Sequence, residues 1–80
     1  MDDIALIALS YVIVRKDAPC YNRVNGIYIN NDVIIAEYDN SEEARLRFIL
    51  SYAPEIYTIL EIHSDKTPNN QHFVEARVLN

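Results

Sequence analysis

The sequence predicts an α+β fold: a mostly antiparallel five-stranded sheet, in the order β-β-β-α-β-β, with one helix packed on one face. Three observations carry this expectation. Several segments alternate apolar and polar residues with the period of two that marks strands. The segment 41–53 carries apolar residues at helical spacing between a cap and a proline. Short turn signals, Asn25-Gly26 and Asn30-Asn31-Asp32, separate strands closely enough for antiparallel pairing. Eighty residues, half of them hydrophobic, make one small domain spanning 1–80 with enough apolar material for a core.

The first strand is expected from about Ile4 to Arg15, bent near Ser10. The run IALIAL alone also suits a short helix capped by Asp2 or Asp3, but the β-branched and aromatic YVIVRK that follows favours one long strand. Ala5, Ile7, Leu9, Tyr11 and Ile13 lie on one face and Ile4, Leu6, Ala8, Val12 and Val14 on the other, a pattern of strands covered on both sides. Residues 17–23, DAPCYNR, read as a loop held by Pro19. Residues 24–39 read as a hairpin, with Ile27 and Ile29 opposite Tyr28, and with Ile34, Ala36 and Tyr38 alternating with Val33, Ile35 and Glu37.

The helix follows. Asn40 or Ser41 caps it, Asn40 with Glu43 has capping-box-like spacing, and Glu42 and Glu43 suit the positive end of the helix dipole. Pro54 ends it, since the residue before a proline is pushed out of helical angles. Leu46, Ile49, Leu50 and Ala53 form the expected core stripe. In residues 55–64, Ile56, Thr58, Leu60 and Ile62 are assigned to the core face, and Tyr57, Ile59, Glu61 and His63 to the other. Residues 65–71 are a polar loop, and 72–79 alternate again, with Val74, Ala76 and Val78 inward. Pairing 62 with 72, 60 with 74, 58 with 76 and 56 with 78 matches these faces. A single helix then leaves Tyr28, Tyr57, Ile59 and Phe73 on an uncovered side.

The formal charge of −5 disfavours nucleic acid and anionic membrane as direct partners, because both require a basic footprint. It favours encounter with a basic protein surface. One cysteine, Cys20, excludes a disulfide framework within the chain. In the N-terminal MDDIALIALSYVIVRK the acidic residues precede the apolar run and the basic ones follow it. That order is the reverse of a secretory signal, and the run is short of the ~20 residues of a membrane span. The expectation is a cytoplasmic protein with its mature N-terminus, in host cytoplasm if it is viral.

No residue set points to catalysis, a cofactor or a metal. His63 and His72 flank the last loop but fall on opposite faces in the expected register, and no further nitrogen or sulfur ligand completes a zinc set. Cys20 has only Arg23 nearby to lower its pKa and no base beside it. Glu37, Asp39, Glu42, Glu43 and Glu55 cluster at the helix ends, where a one-helix sheet leaves little room for a pocket. One glycine excludes a glycine-rich phosphate loop. Arg15, Lys16 and Arg23, interleaved with Tyr11 and Tyr21, make a small basic patch that the overall charge opposes as a nucleic-acid site.

The remaining candidate is an aromatic surface. Ala44, Phe48 and Tyr52 lie opposite the expected core stripe, flanked by Arg45, Arg47 and Ser51. Tyrosine, phenylalanine and arginine are enriched in interface cores. The expected partner surface is Phe48, Tyr52, Arg45, Tyr28, Tyr57 and Phe73, with Glu42 and Glu43. In overall character the chain resembles small acidic inhibitors: phage-encoded anti-defence proteins, anti-CRISPR proteins among them, and immunity proteins that block basic nucleases. That resemblance implies a non-enzymatic protein that covers a surface of a basic, nucleic-acid-processing partner. The alternative expectation is a homodimeric structural or assembly subunit, burying the bare sheet face or the aromatic ridge across a two-fold axis.

Overall fold

The computed structural model describes residues 9–63 and 69–78. The first-strand residues 4–8, most of the polar loop 65–71 and residue 79 lie outside the described residues. The strands are β1 (Leu9–Arg15), β2 (Tyr21–Arg23), β3 (Gly26–Asn30), β4 (Ala36–Tyr38), β5 (Tyr57–His63) and β6 (Gln71–Val78), with one helix, α1 (Ser41–Ser51), between β4 and β5. They form an open antiparallel sheet in the order β2-β3-β6-β5-β1-β4.

The sheet has six strands, not five. The extra strand, β2, lies in the stretch expected to be loop, and it pairs with β3 across a turn at Val24 and Asn25. Gly26 sits at the end of that turn with φ +148°, where any side chain is strained. A Cβ there would also collide with the ring of Phe73. The chain's single glycine is therefore required twice over, by backbone angle and by the ring packed against it.

The expected 24–39 hairpin does not form. After β3 the chain makes a 3₁₀ turn over Asn31–Val33 and crosses to the far edge of the sheet, where β4 pairs with β1. The crossing has a consequence for packing. Val33 and Ile34, with Ala18 and Val74, pack against a buried cluster of Val12, Val14, Ile29, Leu60 and Ile62. The sheet face away from α1 is thus partly covered by a connection that alternation alone reads as a tight turn.

The second cluster lies beneath the helix. Ala44 and Phe48 join Ile13, Ile59 and Val78, with Tyr11, Ala36, Tyr38, Tyr52 and Tyr57 at the margin. Buried residues of β1 thus alternate between the two clusters, Val12 and Val14 on one side and Ile13 on the other, as its doubly apolar pattern requires. Tyr57 and Ile59, expected on an uncovered side, instead face the helix.

The β5–β6 pairing also differs from expectation. Ile62 faces Val74, Glu61 faces Ala76, Leu60 faces Arg77 and Ile59 faces Val78, with an irregularity between Glu61 and Ile62. The extra residue reverses the alternation of β6 past Val74. Val74 accordingly joins the cluster under the crossing, Val78 joins the cluster under the helix, and Ala76 is exposed. A register matched to one core face fails because the central strands have two.

Helix α1 begins as expected. Asn40 Oδ1 accepts the backbone N–H of Glu42 at 2.8 Å and of Glu43 at 3.1 Å. The last turn closes with the Tyr52 N–H donating to Phe48 O at 2.9 Å, two residues before Pro54.

Candidate functional site

The rotation of α1 about its axis decides which side chains reach solvent. Ala44 and Phe48 face the sheet, Phe48 only 1% exposed. Ala44 has a small side chain that lets the helix approach closely, and the Phe48 ring fills the space one turn on. Phe48 stacks on Tyr52 with ring centroids 6.2 Å apart, and Tyr52 meets Tyr57 edge-on at 5.2 Å. The expected stripe points the other way. Leu46, Ile49 and Leu50 are 56%, 73% and 69% exposed, and Ala53 is exposed too.

This corrects two expectations at once. Leu46, Ile49, Leu50 and Ala53 are not the core stripe, and Phe48 is not an exposed surface anchor, since its ring is buried beneath the helix. The reason is that α1 is apolar on both sides, and its connections choose between them. Only residues 39–40 join β4 to α1, and residues 52–56 join it to β5. Such short connections leave little freedom to turn the helix about its axis.

The other expected interface residues divide into separate groups. Tyr52 and Tyr57 are half-buried beside Phe48. Tyr28 and Phe73 are a half-buried cross-strand pair on β3 and β6, with centroids 5.5 Å apart and the Arg23 guanidinium 5.8 Å from the Tyr28 ring centre. Glu42, Glu43 and Arg45 are exposed on α1. These side chains do not make one ridge.

What the helix does present is an apolar patch with an ordered charge pattern. At about 100° per residue, Leu46 and Leu50 point most directly away from the sheet, with Ile49 to one side and Arg47 to the other. Glu42 and Glu43 lie on the outward side one turn towards the N-terminus, and Arg45 and Arg47, both exposed, stand on the two flanks. No basic residue occupies the last turn. At that end Phe48, Ile49, Tyr52 and Pro54 line an open groove of about 250 Å³.

The groups weighed for chemistry are held in structural contacts. His72 is buried, with its ring nitrogens 3.1 Å from His63 O and 2.8 Å from Asn31 Oδ1. His63 Nε2 lies 2.6 Å from Glu75 Oε2, and its ring packs on Phe73 at 5.3 Å. Arg23 donates to Gln71 Oε1 at 2.8 Å, and Gln71 donates in turn to Asn30 Oδ1 at 2.9 Å. Arg15 Nε donates to Asp17 Oδ1 at 3.0 Å; this pairing holds the Asp17 carboxyl below its ordinary range and the Arg15 guanidinium above its own. The basic patch of the first loop is therefore partly neutralised. The Cys20 thiol is exposed, 3.8 Å from Ala18 O. It borders a second groove of about 250 Å³, floored by Ile27, Leu60 and Val74. Both volumes fall below the ~300–1,000 Å³ of typical small-molecule sites. Among the described residues, no three His, Cys, Asp or Glu side chains are grouped to hold a metal ion, and no helix is long and apolar enough to cross a membrane.

Leu46, Ile49 and Leu50 are the candidates that reading the sequence assigned to the wrong side. The signal that points to them is the helix itself: apolar residues at helical spacing on both faces, in a fold with one sheet to pack against. No protein-family model, curated protein or solved structure matches the chain.

Proposed function

We propose that this chain is a small, acidic, non-enzymatic binding protein that covers a surface of another protein, and that it does so with the outer face of α1. The observation that carries the reading is the joint exposure of Leu46, Ile49 and Leu50. Contiguous exposed apolar side chains on a small domain mark interaction sites more often than not. Glu42 and Glu43 beside the patch, with a net charge of −5, favour a basic partner. The form that suits this chemistry is an inhibitor of a nucleic-acid-processing protein, as in anti-CRISPR and immunity proteins. The carboxylates occupy a groove that otherwise takes phosphates, and the aliphatic side chains supply the desolvated anchors.

The test compares wild type with Leu46→Asp/Leu50→Asp. Partners captured at low salt are identified by mass spectrometry, and the complex is rebuilt from purified components. A nucleic-acid-processing partner with a basic surface, lost in the double variant, is the expected result. A rebuilt complex that survives the substitutions overturns the reading.

A homodimer is the second reading, favoured by Leu46 and Leu50 lying one turn apart on an unpartnered helix face. Light scattering separates the two: a mass of twice 9.3 kDa that halves in the double variant supports the dimer.

A further inference from the structure

We infer that the occupant of this face is an amphipathic helix of the partner, lying antiparallel to α1, with Lys or Arg in its last turn and a large apolar side chain from its first turn seated in the groove at Ile49, Tyr52 and Pro54. This rests on the proposed binding role of α1 and specifies the partner's chemistry.

The secondary structure of the occupant follows from what α1 exposes. The surface of a helix offers no backbone donors or acceptors along its length, because they are spent within it. An extended peptide laid on α1 would lose backbone hydration and receive nothing in exchange. A helix arrives with its own backbone already paired, and its ridges fit the i, i+3 and i, i+4 rows that Leu46, Ile49 and Leu50 form.

The direction follows from charge. The outward carboxylates Glu42 and Glu43 stand at the N-terminal end of α1, and the groove lies at its C-terminal end. Glu42 and Ile49 share one side of α1, seven residues and about 10 Å apart along the axis. An antiparallel partner of about three turns spans both features. Its last turn meets Glu42, and cations there also favour that helix's own dipole. A parallel partner would put its cations in its first turn, where its own dipole opposes them.

A second copy of this chain does not fit as well. Laid antiparallel on itself, α1 would offer Glu42 and Glu43 a last turn with no basic residue.

The groove supplies the anchor. Its walls are packed from behind, with Phe48 buried and Tyr52 in contact with the Phe48 and Tyr57 rings. Ile49, the most exposed of the three aliphatic side chains, stands at its lip. Preformed apolar pockets of this kind are where interface anchors concentrate binding energy.

The experiment titrates the full, isotopically labelled chain with two synthetic helical peptides of identical composition. Both carry a leucine seam; one has a tryptophan in its first turn and lysines in its last, and the other has the order reversed. Amide shift changes are expected to concentrate on residues 42–54, with the first peptide binding roughly 3–10-fold tighter. Ile49→Asp, at an exposed position that leaves the fold intact, is expected to weaken that peptide by ~10-fold or more, and Ile49→Leu to retain it. Shift changes away from α1, equal affinity for both charge orders, or a stable dimer without peptide would overturn the inference. If the rebuilt partner complex depends on Leu46 and Leu50 while neither peptide shifts α1, the helical occupant fails and the binding role stands.

Discussion

Ala44, Phe48 and Tyr52 on one side of α1, and Leu46, Ile49 and Leu50 on the other, are two apolar stripes on one eleven-residue helix with opposite fates. The stripe richer in aliphatic residues is the one left in water. The buried one succeeds through shape. A small residue permits close approach, and one large ring then reaches the space between Ile13, Ile59 and Val78. Hydrophobicity alone does not rank the two. A short helix tethered at both ends exposes whichever side its connections turn outward, and such an exposed side is surplus to folding.

The largest test of this contrast is Phe48→Ala. It should cost ~3–5 kcal/mol in denaturant unfolding, the range for emptying a buried aromatic site, and much of a small domain's total. A loss below about 1 kcal/mol would mean that the helix does not use this face. Ala44→Leu attacks the same face by overfilling and should cost about 1–3 kcal/mol. Asn40→Ala removes the cap without favouring either side, and should cost about 1 kcal/mol. Leu50→Ala, on the outer face, should change stability by no more than about 0.5 kcal/mol. A cost comparable to that of Phe48→Ala would reverse the assignment of faces.

The smallest expected effect lies away from the helix and calibrates the surface. Arg15 lowers the Asp17 carboxyl, first through the hydrogen bond and then through charge. A carboxyl with a depressed folded value contributes stability above its unfolded value, and that contribution is lost as pH falls through the folded one. Full exposure keeps it slight. A carboxyl titration by NMR should place the Asp17 midpoint below the ordinary aspartate range, and Arg15→Gln should return it there.

Much of the local structure is legible in the chain. Asn40, Glu42, Glu43 and Pro54 bracket the helix correctly, because caps and prolines act within a few residues. The double burial of Val12, Ile13 and Val14 also reads directly from side-chain alternation. The candidate surface is less legible. Of the residues expected at an interface, Glu42, Glu43 and Arg45 are exposed, while Phe48 is buried and the tyrosines and Phe73 are half-buried in two separate places. Periodicity distinguishes the two faces of α1 but carries no sign for which meets the sheet.

The sequence by itself determined where the helix starts and stops, which residues of β1 and of β5 share a face, and that the protein is acidic. All of these follow from interactions spanning a few residues or from simple sums. The tertiary structure alone decided that residues 31–35 cross the sheet instead of turning, that the irregularity in β6 sends Val74 and Val78 to opposite clusters, and that Leu46, Ile49 and Leu50 face water. Each is a choice between locally equivalent alternatives. Only the simultaneous filling of both sheet faces, under the limits set by short connections, separates them.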